Sequence, residues 1–414
     1  MKTKDRIKEY LRSGESESKG LGLEVEHFVV DDRGRPIGFH EVSELIDDTG
    51  RRIGAKIIYM DGFPVGYIAK DHSITLEPSC QFEISIAPYS DIVSIQRTYE
   101  DFLGLWEPLF AERGYHLVTK GNLPIVEKGE ADPDDIPLSP KKRYRFMDSY
   151  FRGTGRYGKY MMRASASTQL SVDYRSEEDL VRKLSVLQKI SPILMIGMEN
   201  KVEEGSTLPE SPNKRHLLRI QEWDDLDPDR TGFYPGSFDK GFGYDVVADV
   251  IFNTPLILLT DNGDTINVGS MSAKDLVSKG CLNDEETDLI RENRLIEHFI
   301  SMGFFHFRIK KYIEIRVADS VPLDRALGYV ALIKGLIYSD ENLNLLEREF
   351  SFIDSEDAII EAVEEIMING SDAVIYEGKT ASEWGGHLIG IALKALPDNE
   401  KEYLEHVRAF WSIG

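Results

Sequence analysis

Several short stretches of this sequence place carboxylates where a β-strand would gather them on one face. In Gly22-Leu-Glu-Val-Glu-His-Phe28, Glu24 and Glu26 stand two residues apart, and in Gln81-Phe-Glu-Ile-Ser-Ile86, Glu83 and Ser85 alternate with Phe82, Ile84 and Ile86. A strand has period two, so alternate residues share a face. Leu23 and Val25 then point to a core, with Glu24 and Glu26 opposite. Tyr312-Ile-Glu-Ile-Arg-Val317 repeats the pattern, with Glu314 and Arg316 opposite Ile313, Ile315 and Val317. Arg163, Ser165, Ser167, Gln169, Ser171 and Asp173 read as the polar face of one more strand. A sheet with one solvated face explains any of these strands taken singly. Together they ask for more, because Glu is a poor strand former. Two like charges about 4 Å apart repel by ~4 kcal/mol at an effective dielectric of 20. Glu24, Glu26, Glu83 and Glu314 on one concave face would therefore need cations, and Glu77 fits the same cluster. Oxygen donors without a Cys/His cluster favour Mg²⁺ or Mn²⁺ over Zn²⁺. Arg163 and Arg316, on the same faces, suit nucleotide phosphates. The loop from Arg219 to Gly232 adds Trp223 and Arg230, and a guanidinium fork is a natural clamp for a carboxylate. Alone, that loop reads as an acidic surface turn.

The elements that must position these residues follow from local pattern. Strands are expected at Leu21 to Val30, Ile53 to Tyr59, Ser73 to Glu77, Gln81 to Ile86, Tyr160 to Tyr174, Leu256 to Thr260 and Phe307 to Asp319. A long helix is expected over Asp91 to Arg113, closed by Gly114. Ser176-Glu-Glu-Asp179 has the form of a capping box that starts another. Helices are also expected over Asp245 to Thr254, Ala273 to Lys279 and Asp284 to Met302, and through most of the chain beyond Pro322. Strands first and helices last, without regular βαβ spacing, point to an α+β fold with an antiparallel sheet. Residues 1–414 read as one catalytic domain, with 322–414 its helical C-terminal part. Gly153-Thr-Gly-Arg-Tyr-Gly158 matches GxGxxG, but a dinucleotide site needs a strand before it and a helix after it. A strand is expected after it, so it reads as a flexible loop.

The chain has 414 residues, 41% hydrophobic and 29% charged, which is ordinary globular composition. No apolar run approaches the roughly 18 residues that span a bilayer, and the charged start lacks the form of a secretory signal. A cytoplasmic location without membrane contact is the expectation. With 72 acidic against 49 basic residues the formal charge is −23, which repels nucleic acid. The partners expected are small molecules, and the chain is expected to be a monomer or homodimer. Cys80 and Cys281 read as free thiols, and His27, His72 and His116 have no metal-ligand spacing.

At Gly22-Leu-Glu-Val-Glu26, Leu76 to Ser85, Met161 to Asp173, Trp223 to Gly232, Phe238 to Tyr244 and Tyr312 to Asp319, in that order, the sequence resembles the glutamate–cysteine ligases of the plant and proteobacterial type. These belong to the glutamine-synthetase-like carboxylate–amine ligases. The resemblance implies a curved, mostly antiparallel sheet forming a funnel, surrounded by helices. It implies Mg²⁺ held by Glu24, Glu77 and Glu83, and a second Mg²⁺ by Glu26, Gln169 and Glu314. Arg316 and Arg163 would contact ATP phosphates and, with Arg230, serve catalysis. Arg219, Trp223, Arg230 and Thr231 would line the substrate region. The implied chemistry has two steps. The glutamate side-chain carboxylate attacks the γ-phosphorus of ATP, and an amine then displaces phosphate from the acyl phosphate. Two departures bear on the amine. Ser79-Cys80 and Ser320-Val321 stand where the family usually carries Gly-Gly. Cysteine, giving γ-glutamylcysteine for glutathione-type thiol biosynthesis, is the first expectation. A different amine in a specialised pathway is the second, and a non-catalytic nucleotide- or metabolite-binding protein is the alternative of another class.

Overall fold

A computed structural model of the chain describes residues 2–261, 264–282 and 289–411. Its main feature is an antiparallel sheet. The strands that build it are β1 (Leu21–Asp31), β2 (Lys56–Met60), β3 (Phe63–Ile68), β4 (His72–Leu76), β5 (Phe82–Ile86), β6 (Tyr115–Val118) and β7 (Ser167–Val172). After β8 (Pro255–Asp261) and β9 (Asp264–Ser272), which pair as a separate hairpin, come β10 (Phe307–Ile309) and β11 (Ile313–Asp319). The order is β10-β11-β7-β1-β5-β4-β3-β2, with β6 pairing the far end of β1. Among the described residues the sheet is open, because β2 and β10 have no strand beyond them.

Alternation fixes which side faces the core. Leu21, Leu23 and Val25 of β1, Phe82 and Ile84 of β5, and Ile313 and Ile315 of β11 are all 0% exposed. Behind β5 lies the helix Ile92–Ala111, whose Trp106 packs on Phe82 with ring centroids 4.6 Å apart. Asp91 caps that helix by accepting the Ser94 N–H. Core burial of this kind contributes roughly 1.5–3 kcal/mol per large apolar side chain, which is what holds the opposite, charged face in place. His27 belongs to this core side. Its Nδ1 meets the Phe82 carbonyl and its Nε2 the Tyr99 hydroxyl, and burial lowers its pKa to about 4.

The C-terminal helices are tied to the sheet. The Tyr338 hydroxyl, at the end of the helix Leu323–Ile337, donates to the Gly20 carbonyl and accepts the Asp173 N–H. Among the described residues, no helix is long and apolar enough to cross a membrane.

Three expectations change. Residues 158–164 are helical, and β7 begins only at Ser167. Met161, Met162, Arg163 and Ala164 are good helix formers, and that propensity prevails over the alternation of polar side chains. The stretch from Phe307 to Asp319 is a hairpin, turning at Lys310 to Tyr312. The helix expected from Asp284 is seen as Leu289–Ser301, and residues 284–288 lie outside the described residues. The GxGxxG segment therefore precedes a helix, but it joins two helices rather than following a strand. It is anchored, because Arg156 donates to Asp225 from its backbone N–H and its side chain. A Cβ on Gly155 would sit 2.3 Å from the Asp225 carbonyl oxygen, so glycine is required for that approach.

Candidate active site

A cavity of about 410 Å³ lies on the charged face of the sheet. Its lining includes Ile58 and Met60 from β2 at one edge and Arg308 from β10 at the other. Eight strands laid flat would span about 34 Å, so both edges reach one cavity only because the sheet curls around it.

One wall is acidic. Glu24 and Glu26 reach it from β1, Glu77 from the end of β4, and Glu83 from β5, with Gln169 of β7 beside them. The register explains the meeting, since Glu26 pairs with Glu83 and Glu24 with Gln169 across neighbouring strands. Burial, and then Glu24, Glu77 and Glu26, hold the Glu83 carboxyl well above the usual carboxylate range. Its Oε1 accepts the Thr75 hydroxyl at 2.7 Å and the Ser85 hydroxyl at 3.3 Å, which does not offset that repulsion. Burial and Glu77 push Glu26 up to about 7. Burial and Glu314 raise Glu24. Glu26 also accepts the Ser167 N–H at 2.6 Å, which fixes it against β7.

The other wall is basic. Lys141 and Arg143 come from the start of the helix Lys142–Phe151, Arg308 from β10, Lys310 from the turn after it, and Arg316 from β11. Glu314, fully buried, is the counter-charge of Arg308, Lys310 and Arg316, while Lys141 and Arg143 reach toward Glu77. Its Oε2 accepts Arg308 Nε at 2.6 Å and Arg316 Nη1 at 3.1 Å, and its Oε1 accepts Lys310 Nζ at 2.6 Å. Burial opposes the charge, but Arg308, Lys310 and Arg316 overcome it and hold Glu314 well below the carboxylate range. Arg316 bridges the walls, donating to Gln169 Oε1 and lying 5.7 Å above the Trp223 ring. Lys141 donates to the Leu76 carbonyl, and burial lowers it to about 8.

The expected site residues divide. Glu24, Glu26, Glu77, Glu83, Gln169, Trp223 and Arg316 all line the cavity. Glu314 departs from its expected place as a metal ligand, because three cations occupy its two oxygens. Arg163 turns away, in an ion pair with Asp148, because it sits on a helix rather than on β7. Arg230 is fully buried and structural. It donates to Asp227 and to the carbonyls of Pro255 and Met302, far from a phosphate role. Thr231 donates to the Asp227 carbonyl in the same turn. Arg219 does not line the cavity but braces it, donating to the Arg316 carbonyl at 2.7 Å. Sequence reasoning missed Lys141, Arg143, Arg308 and Lys310. The period-two spacing of Arg308 and Lys310 was a usable signal for half of these.

The donor set is all oxygen on the acidic wall, as Mg²⁺ requires. The mutual repulsion at Glu83 is a charge excess that a divalent cation would relieve. The side chains are not drawn into a coordination sphere, since among the described residues no three His, Cys, Asp or Glu are gathered as a metal site.

The two Gly-Gly replacements leave the cavity alone. None of Ser79, Cys80, Ser320 and Val321 lines it. Cys80 takes the left-handed conformation a glycine would favour, with φ 66°, and its N–H still closes the turn onto the Glu77 carbonyl at 3.0 Å. The Ser320 hydroxyl donates to the Glu26 carbonyl, and Val321 is fully buried.

An open antiparallel sheet curled around opposed acidic and basic walls is the architecture of a carboxylate–amine ligase. The family model for glutamate–cysteine ligase family 2 matches residues 20–198 and 204–367, and the chain belongs to that family. Glutamate–cysteine ligase B, chloroplastic, of Oryza sativa subsp. japonica is 30% identical over 345 residues, covering 82% of this chain and 67% of that protein. Glutamate–cysteine ligase A, chloroplastic, of Oryza sativa subsp. indica is 30% identical over 345 residues, covering 82% and 68%. The crystal structure of a glutamate–cysteine ligase from Francisella tularensis in complex with AMP is 15% identical with a TM-score of 0.49, covering 96% of this chain and 82% of that one. The plant relatives are named as chloroplastic, which overturns the expectation of a cytoplasmic location.

Proposed function

We propose that this chain joins the side-chain carboxylate of L-glutamate to the amine of L-cysteine at the expense of ATP, giving γ-glutamylcysteine, ADP and phosphate. The observation that carries this reading is the division of one cavity into an acidic and a basic wall. ATP and glutamate bring phosphates and carboxylates, all anions, to the same place; the basic wall would take them directly and the acidic wall through a bridging Mg²⁺.

Arg316, Arg308, Lys310 and Arg143 would face the triphosphate, the arginines offering planar forks to its oxygens. Glu314 keeps these cations oriented and is a positioning residue. Glu24, Glu26, Glu77 and Glu83 would hold Mg²⁺, which when bound neutralises charge on the phosphates, and Gln169, whose Oε1 already accepts Arg316, would join them through its second lone pair. Trp223 excludes water beside Arg316. Fixing the attacking carboxylate near the γ-phosphorus is a matter of position and electrostatics, as in phosphoryl transfer generally. The acyl phosphate so formed loses phosphate to the incoming amine. Because the Gly-Gly replacements do not reach the cavity, they give no reason to expect an amine other than cysteine.

The test is phosphate release with Mg·ATP and L-glutamate, with and without L-cysteine, followed by the product mass. Cysteine-dependent release and a γ-glutamylcysteine mass are expected. Release with another amine and none with cysteine would overturn the substrate, and no release with any amine would overturn the ligase reading.

A further inference from the structure

A second cavity, of about 260 Å³, shares no lining residue with the first. The helix Leu218–Asp224 separates the two. Trp223 faces the main cavity, while Leu218 and Glu222 face the second. Glu222 is 0% exposed. Its Oε1 accepts the Asn122 amide at 2.5 Å, and its Oε2 has no hydrogen-bond partner. Leaving a buried carboxyl oxygen unpaired is costly, and burial holds this group well above the usual carboxylate range, so a cation arriving at Oε2 would stabilise its charged form.

Nothing lining this cavity supplies positive charge. The second acidic residue there, Glu127, accepts the backbone N–H groups of Val202 and Glu203 through Oε1. The nearby cations are committed elsewhere: Arg219 donates to the Arg316 carbonyl, and Lys120 to Asn200 Oδ1 and the Lys201 carbonyl. The remaining walls are mostly apolar, from Val126, Tyr160, Leu208, Pro209 and Leu218, with Thr207 and the Asn122 amide as their polar members. A bare divalent ion needs six or so oxygens, which these walls do not offer. A cationic head with a short hydrocarbon body satisfies both the free oxygen and the apolar lining, and the Tyr160 ring gives the cation a further favourable face.

We propose that the cavity between Glu222 and Glu127 is a binding site for a small organic ammonium ion, separate from the ligase cavity. The Glu222 carboxylate holds its head, and Val126, Leu208 and Leu218 cover its body. The site shares one short helix with Trp223 and Arg219, so its occupant would sit directly behind the wall of the main cavity.

Titration calorimetry of the full chain with n-butylammonium chloride tests this, with sodium butyrate and potassium chloride as controls. Saturable binding of butylammonium is expected and none of butyrate or potassium. Glu222→Gln should weaken it by at least about tenfold, the worth of a charge-assisted hydrogen bond, while a thermal melt verifies that the variant is folded. Glu83→Gln, which removes a carboxylate from the main cavity, should leave it unchanged. Should Glu222→Gln not fold, Glu127→Gln takes its place and weakens binding by removing the second charge. Absence of saturable binding, equal binding of butyrate, undiminished binding in the Glu222 or Glu127 variant, or loss of binding in Glu83→Gln would each overturn the proposal. None of these readouts depends on ligase turnover.

Discussion

On the wall built by β1, β4 and β5, four glutamates face one another with hydroxyls, a backbone N–H and the single ammonium of Lys141, held on the Leu76 carbonyl, for company. On the wall built by β10 and β11, a single glutamate carries three cations. Both walls come from strands with the same alternation, and both bury charge. They differ in whether the charge is answered from within the chain. Glu314 is answered, and its carboxyl is held low. Glu83 is not, and its carboxyl is held high. The basic wall is preorganised, while the acidic wall is completed only when positive charge arrives.

The comparison predicts that one substitution has opposite effects on the two walls. Glu314→Gln should destabilise the fold by about 3–5 kcal/mol, because it leaves three half-buried cations short of their fully buried counter-charge. Chemical denaturation measures this, and a change under 1 kcal/mol would place those cations in solvent. The next largest effect is on pH. Glu26 and Glu83 bind protons more tightly in the fold than in the unfolded chain. The stability they contribute is therefore present below about 4.5 and lost as pH rises through about 7 for Glu26. The loss should be on the order of 3 kcal/mol, and Mg²⁺ should restore it at pH 8. Lys141, lowered to about 8, stays protonated in both states across that window and adds no slope. A stability curve flat in pH and indifferent to Mg²⁺ would break the contrast. Arg316→Lys keeps the charge but loses the fork and the contact with Trp223, so kcat should fall about 10²-fold with little change in melting temperature. Unchanged kcat would take Arg316 out of the chemistry. Smallest in stability, Glu83→Gln should raise it by about 1 kcal/mol in the absence of Mg²⁺ while abolishing turnover. A destabilised variant would mean that Glu83 is paired after all.

The acidic wall was legible because its information is local. Glu24, Glu26 and Glu83 betray themselves by breaking strand propensity at period two, and their apolar neighbours fix the face. The basic wall was legible only at Arg316. Lys141 and Arg143 reach the cavity from a helix start, where no periodicity announces direction. Arg163 was misplaced because the chain is helical there, and one change of element redirects every side chain. Arg230 was misassigned because an arginine in a polar loop reads the same whether it meets a ligand or buried carbonyls, and only tertiary structure brings Pro255 and Met302 to it. The order of the sheet also lay beyond sequence pattern, since pairing between distant strands leaves no local trace.

That order has a consequence for how the chain is made. β1 lies beside β7, and β7 beside β11, so Val172 is paired on one side with Leu21 and on the other with Ile313. During synthesis β1 can pair with β5 after roughly 50 residues, but its other edge must wait for roughly 150 before β7 exists, and β7 must wait about as long again for β11. Pairings of such sequence separation fold slowly and leave strand edges exposed meanwhile. The charges that make the acidic wall costly in the finished molecule would then act as gatekeepers. Glu24 and Glu26 interrupt an otherwise apolar β1 during its long wait, so the same residues would guard the nascent strand against aggregation.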